Sequence, residues 1–386
     1  MEDIQDLPLF LPPILLTFQP SNLSIQSFSL SSSHFPHRSR RIDKSVGLRL
    51  GFVNPSRAKG RKNCEVLSLS FFLVHFPWLE LLFFLLLIIV GPVWFTSTSD
   101  AAFDDEFIGA RAFAMGGAFT AIADESDGLL VNPASISNLP AQQLSATMAI
   151  LHVGLSDDTS ITQQLISYAN SQPTRGALGL LWKRLSVSHL YSENYVVAGI
   201  SKSYELGTET KHRLSLGASA KLLNWDTGPT VGANGTIVED LPGRSQLSFD
   251  AGFIFRPSAS IPIALSLQNL NTPNIASTQS RIEENLPLQT TLGIGILGQK
   301  STWGMDLVFK GNQIDVKVGI EQKFDGGNLL LRGGFRLENL AWGTNLTLGG
   351  GYRPSESVRI DYGFVYPIGG IEGTYGSHRF SIVYDF

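Results

Sequence analysis

From Gln142 to Phe386 apolar and polar residues alternate with a period of two. Leu247, Phe249, Ala251, Phe253 and Phe255 interleave with Ser248, Asp250, Gly252, Ile254 and Arg256. Trp303, Met305, Leu307 and Phe309 interleave with Gly304, Asp306, Val308 and Lys310. Ile314, Val316, Val318 and Ile320 interleave with Asp315, Lys317, Gly319 and Glu321. Successive side chains of a strand point to opposite faces, so each run has one apolar face and one polar or small face. About fourteen such runs occur, each close to the nine to eleven residues with which a tilted strand crosses a bilayer. They centre on 142–152, 160–170, 176–188, 194–206, 212–224, 245–256, 260–270, 286–297, 302–310, 313–324, 328–337, 340–352, 357–367 and 376–386. The second and fourth are weakly patterned. No long helical period interrupts them, which excludes a βαβ architecture.

A soluble β-sandwich would alternate too, so the question is which solvent meets the apolar face. Only 16% of residues are charged while 38 are glycine, a balance that suits a lipid-facing β protein better than a cytosolic enzyme. Glycine and other small residues fill many polar-face positions, as in a lumen packed by its own wall. Connection lengths sort as well. SQPTR, GTETK, PSAS, GQK, DGGN and RPSES fall at one end, and the longest, about 225–245 and 271–285, at the other. An even-stranded barrel with both termini in the periplasm has this arrangement. The fold expected is therefore an all-β transmembrane antiparallel barrel of about 14 strands. Trp182, Trp225, Trp303 and Trp342 lie near strand ends, as an interfacial girdle requires.

The upstream part differs. Residues 1–65 show no periodicity and carry a Ser-rich stretch and basic clusters, the signature of disorder or of a mis-assigned start. No methionine lies between Met1 and Met115, so initiation at another codon near the basic cluster is expected, with a Ser-rich transit peptide as the alternative. Residues 66–101 combine an apolar run with a small-residue exit, Ser99-Asp100-Ala101-Ala102. This predicts a secretory signal cleaved near Ala101 or Ala102; a permanent transmembrane helix is the rival, though Glu80 splits the run. Net charge is −4, with nine Lys/Arg against seven Asp/Glu in residues 1–101, leaving 20 against 26 in the rest. Nucleic acid is not an expected partner. The single cysteine, Cys64, permits neither an intrachain disulfide nor a cysteine metal cage.

Between signal and strands stands GARAFAMGGAFTAIADESDGLLVNPAS, residues 109–135. Gly109, Gly116 and Gly117 lack the spacing of a phosphate loop and no lysine follows. Asp124, Glu125 and Asp127 offer oxygen ligands for calcium, but an EF-hand's fixed Gly and Glu are missing. Intramolecular pairing with arginines inside the barrel is the simpler expectation. His152, His189, His212 and His378 are scattered, and no G-x-S-x-G elbow occurs. No enzyme activity, cofactor or metal is expected. On the polar faces of neighbouring strands, Asp315, Lys317, Glu321 and Lys323 sit beside Arg332 and Arg336, with Arg359 and Asp361 two strands later. They predict a mixed-sign lumen lining, either cross-strand pairs that stiffen the wall or a polar permeation path.

The chain ends with Phe380, Ile382, Tyr384 and Phe386 on one face, resembling the signal read by the outer-membrane barrel-assembly machinery. The segment at 109–135 resembles the N-terminal signature of the PorV/PorQ group of outer-membrane proteins, related to FadL-type transporters. Gly109-Ala110-Arg111-Ala112, Met115-Gly116-Gly117-Ala118, Ala123-Asp124 and Asn132-Pro133-Ala134 carry the match; Ser135-Ile136-Ser137 and Glu125 depart from it. The resemblance covers roughly 103–386. It implies that 102–141 folds into the lumen as a hatch, ahead of a barrel over 142–386, with Pro133 fixing the turn into strand one. It also implies one of three functions: transport of small hydrophobic compounds across the outer membrane, binding of cargo or partner subunits in type IX secretion, or a structural role with a closed lumen. Outer-membrane lipids and the assembly machinery are the expected partners in every case.

Overall fold

The computed structural model describes Phe103 and residues 108–386, apart from 156–158, 189, 208–211, 229, 232–236, 239–242, 339–342 and 369–373. The expectations for residues 1–65 and 66–101, and for Trp342, lie outside the described residues.

Fourteen strands close into one barrel in which every neighbouring pair is antiparallel. They are β1 Gln142–Leu151, β2 Ile161–Gln172, β3 Gly176–Val187, β4 Tyr191–Leu206, β5 His212–Thr227, β6 Arg244–Ser258 and β7 Ile261–Gln268. The second half comprises β8 Gln289–Leu297, β9 Ser301–Lys310, β10 Gln313–Phe324, β11 Leu329–Glu338, β12 Gly343–Ser355, β13 Val358–Ile368 and β14 Ser377–Asp385. The weakly patterned second and fourth runs are both strands. β4, β5 and β6 run longer than the alternation required, 16, 16 and 15 residues; β4 and β5 gain theirs at the end of the long loops. A small extra hairpin, Thr230–Val231 against Ile237–Val238, stands in the connection after β5.

Closure pairs β1 with β14, from Gln143 opposite Asp385 to Ile150 opposite His378. A closed sheet leaves no unpaired edge, the condition for placing β structure in hydrocarbon. The outward positions carry the apolar belt. Leu178, Ile200, Leu247, Ile294, Met305, Leu348, Phe380 and Ile382 are all exposed, whereas soluble monomers rarely expose contiguous apolar surface beyond a few hundred Å². Inward positions hold Ser145, Gln163, Ser167, Lys183, Asp250, Lys317, Glu321, Arg332 and Arg379, all buried. Polar inside and apolar outside is the inverse of a water-soluble barrel.

The longest described connection, 269–288, and that at 228–243 share the end opposite the termini, while the turns at 173–175, 259–260, 298–300 and 356–357 share the termini's end. Two of the girdle tryptophans keep outward positions, Trp303 at 47% exposure and Trp182 in the outward register of β3. Trp225 does not: it faces inward and is buried, and its indole N–H donates to the Ile275 carbonyl at 2.8 Å. It anchors the long loop over the barrel mouth, a partner that nothing in the local pattern announces.

Replacing Ile294 of β8, outward and central in the belt, by arginine should destabilise the inserted barrel by about 2–4 kcal/mol. Equilibrium unfolding from lipid bilayers measures this.

Candidate functional site

Residues 108–139 lie inside the barrel and touch the inner face of every strand. The path begins with helix α1, Ala110–Ala114, against β11 to β14. Gly116 and Gly117 then turn the chain with φ of +67° and +77°, a region that costs a residue with a Cβ. A 3-10 turn at Ser126–Leu130 packs on β1 to β3, and another at Pro133–Asn138 on β2 to β6. Asn132 caps the second: its side-chain oxygen accepts from the Ala134 N–H at 3.0 Å, with Pro133 at the first position, where no donor is needed. The Asn132 amide also donates to the carbonyls of Thr120 and Phe253. Asn-Pro-Ala is thus a cap and a cross-tie, beyond the turn that its sequence implies.

Short secondary structure leaves many backbone groups without intrasegment partners, and burial makes each one costly. Wall side chains supply the partners. Asp306 of β9 accepts from the N–H groups of Phe119 and Thr120, both at 2.9 Å. Ser381 accepts from Ala110 N–H at 2.9 Å, and Thr347 donates to the Ala114 carbonyl at 2.9 Å. Gln143 accepts from Ser126 N–H at 2.7 Å. Ser266 donates to the Val131 carbonyl and Gln268 to that of Leu130. Arg379, fully buried, donates to the Ile108 carbonyl at 3.0 Å and stacks 3.6 Å from the centre of the Phe113 ring.

Glycines set the clearance. A Cβ on Gly217 or Gly252 would strike the Asn132-Pro133-Ala134 turn, and one on Gly319 or Gly334 would strike Met115 and Gly116. These are the lumen-facing small residues of the period-two pattern, and they are small because backbone meets backbone there.

The charges converge on one closed ring. Arg111 donates to both oxygens of Glu321, at 2.8 and 3.0 Å. Arg332 donates to Glu321 and to Asp361, each at 2.7 Å. Arg359 donates to the other Asp361 oxygen at 2.7 Å and to Glu125, and Arg111 closes the circuit on Glu125 at 2.7 Å. Three arginines alternate with three carboxylates. Arg111 and Glu125 come from the internal segment, Glu321 from β10, Arg332 from β11, and Arg359 and Asp361 from β13. All six are buried. Asp124, half exposed, adds a further contact to Arg111 at 2.5 Å.

Burial works against the Arg111 charge, but Asp124, Glu321 and Glu125 outweigh it and hold the guanidinium protonated beyond its ordinary range. Asp127 lies beside the ring, buried, with neither carboxylate oxygen hydrogen-bonded among the described residues. Burial and the neighbouring Glu125 charge push it up to about 7.

Of the predicted lining, Glu321, Arg332, Arg359 and Asp361 meet in the ring. Arg336 instead pairs with Glu338. Lys317 is buried and lines a cavity of about 80 Å³ toward the long-loop end, together with Lys183, Lys221 and Lys310. Asp315 and Lys323 take no part in the ring. Asp124 and Glu125, the calcium candidates, are committed to Arg111. Arg379 and Asp306 are docking residues that the charge pattern did not single out, because each acts through a backbone group rather than an opposite charge. His212 and His378 hydrogen-bond to Pro257 and Tyr362 in different parts of the wall.

The profile of the family described as type IX secretion system membrane protein PorP/SprF matches residues 126–386. The chain belongs to this family. Its members are secretion membrane proteins, and this one is an outer-membrane β-barrel. The matched description is PorP/SprF, where the motif at 109–135 had resembled PorV/PorQ. The PorP/SprF match begins at Ser126, inside the internal segment and after the Arg111 motif. No curated protein matches the chain in sequence. Among solved structures, the toluene transporter TbuX of Ralstonia pickettii is similar at 14% identity and a TM-score of 0.52, covering 73% of this chain and 99% of its own. The toluene transporter TodX of P. putida gives the same figures. At such identity the likeness is one of fold: this PorP/SprF barrel is built like the barrels of these two proteins.

Two measurements test the ring and its neighbour. Arg111→Met should cost about 3–5 kcal/mol, because Glu321 and Glu125 are left buried and undercompensated; denaturant unfolding in detergent at constant pH reads it. Asp127 has a folded pKa above its unfolded one, so its contribution is full below about pH 4 and is lost as pH rises through about 7. Asp127→Asn should remove a decline on the order of 4 kcal/mol between pH 4 and 8. An unchanged pH profile would place the titration elsewhere.

Proposed function

We propose that this PorP/SprF barrel works as a closed component of type IX secretion, exported by its apolar N-terminal segment and acting through contact with cargo or partner subunits, as in the PorV-like alternative. Residues 102–141 act as a plug, and Phe380, Ile382, Tyr384 and Phe386 act as the assembly signal on the last strand. The observation that carries this is the closed Arg–carboxylate ring. An ion path would leave charges facing water, whereas here three cations and three anions satisfy one another in buried positions. Removing either partner costs several kcal/mol, so spontaneous opening is rare. The charge-paired lumen and the long loop anchored by Trp225 favour binding over passage.

One observation favours the transport alternative. The cavity near 80 Å³ is bounded partly by Phe103, Ile108, Leu130, Val131 and Leu223, and its barrel has the fold of two proteins named as toluene transporters. In that case the segment is a movable hatch, and a small apolar compound would pass when it shifts.

Planar-bilayer recordings with Gly217→Phe separate the two. The bulk falls on the Pro133–Ala134 backbone and leaves the charges untouched. The wild type should show negligible conductance and the variant a measurable one, while crosslinked purification from native outer membranes should recover other secretion proteins with the wild type. Basal uptake of a small apolar solute by wild-type liposomes, with no secretion protein recovered, would move the function to transport.

A further inference from the structure

The arginines of the ring end on carboxylates, and Arg379 ends on a backbone carbonyl. Arg256 of β6 is different. It is half-buried, its Nε is shut off from solvent, and it makes no hydrogen bond or ion pair among the described residues. It faces the lumen two residues before β6 ends, on the side of the termini. Directly opposite it in β5 stands Arg213, also half-buried. Facing residues of an antiparallel pair have Cα atoms about 4.5–5.5 Å apart, and like charges so placed repel. Arg213 donates to the Ser137 carbonyl at 2.8 Å and to the Ser203 hydroxyl at 3.0 Å, neither of them an anion.

The acids nearby do not neutralise this pair. Asp124 acts on Arg256 through space, but its carboxylate is bonded to Arg111 at 2.5 Å. Glu205 lies opposite Arg213 in β4, exposed, and makes no ion pair with it among the described residues. The ring shows what two such arginines hold. Asp361 sits between Arg332 and Arg359, with one oxygen to each, both at 2.7 Å, and Glu125 joins Arg111 to Arg359 in the same way. A carboxylate has lone pairs enough for two guanidinium forks. Arg213 and Arg256 face the lumen and not the bilayer, so a lipid headgroup is not the anion for them. Their mouth of the barrel is the periplasmic one in an even-stranded barrel with both termini on that side.

We propose that Arg213 and Arg256 form a carboxylate-binding site at the periplasmic mouth. The carboxylate bridges the two guanidiniums, as Asp361 bridges Arg332 and Arg359. It belongs to a small organic acid or to an Asp or Glu side chain of a periplasmic protein, since the chemistry that recognises both is the same. Arg213 also holds the Ser137 carbonyl, so the bound acid lies against the last turn of the internal segment. Arg256 contributes to binding alone: among the described residues its removal breaks no hydrogen bond and relieves a repulsion.

The test uses the full-length protein in detergent at neutral pH and low salt, with a fluorescent hexaglutamate peptide and with succinate as probes. Fluorescence anisotropy should show the peptide binding to the wild type and about tenfold more weakly to Arg256→Gln, the loss of a charge-assisted hydrogen bond. Arg256→Lys, which keeps the charge but not the fork, should fall between them. With no acid added, Arg256→Gln should unfold at the same denaturant concentration as the wild type or at a higher one. Displacement of the peptide by succinate supports the site with a small acid as its source. Peptide binding that succinate does not displace supports it with a protein as the source. Binding of neither probe, or peptide binding equal in the wild type and Arg256→Gln, would overturn the proposal. So would a loss of stability or a failure to assemble in Arg256→Gln, because Arg256 would then serve the fold.

Discussion

The ring of Arg111, Glu321, Arg332, Asp361, Arg359 and Glu125 is the interaction on which the rest of the interior depends. Taking a charge out of water costs several kcal/mol, and only near-complete pairing offsets it. The four wall charges brought together by β10, β11 and β13, two of each sign, are neutral as a set, but Glu321 lacks its second arginine and Arg359 its second carboxylate until Arg111 and Glu125 enter. The wall therefore demands the internal segment as much as the segment demands the wall.

That mutual demand explains why the segment needs little secondary structure of its own. Its N–H and carbonyl groups are satisfied by Asp306, Ser381, Thr347, Gln143, Ser266 and Gln268 from the strands. The glycines at 217, 252, 319 and 334 let backbone approach backbone. A lumen of ordinary side chains would have neither the room nor the geometry. The same constraints leave little open space around the ring.

Much of the barrel was legible because its signal is local. Alternation at Leu247–Arg256 or Ile314–Glu321 needs only the chain itself and the pleat of a strand, and loop lengths told the two ends apart. The segment at 109–135 stood out in the sequence through its small residues and its resemblance. Of the eight charges on those polar faces, Glu321, Arg332, Arg359 and Asp361 meet in the ring. Most of the failures are long-range. Trp225 looked like a girdle residue but lies under a loop reached 50 positions later. Arg336 sits in the register of the ring residues yet turns to Glu338. Arg379 and Asp306 serve backbone groups some 190 to 270 positions away, and backbone groups leave no mark in a sequence.

The sequence by itself determined the class of object: strands of membrane length, apolar outside and polar or small inside, closed because an edge in lipid is not tolerated. These follow from period, length and solvent, which every residue experiences locally. Only the tertiary structure decided that six particular charges close on one another, that Asp127 is buried beside them, and that Phe103 packs against Glu193 and Tyr195 at the long-loop end. Those outcomes depend on which strands become neighbours and on where the segment lies within them. Pairing across more than two hundred residues is settled by the cost of a buried unpaired charge, a quantity that exists only once the barrel has closed.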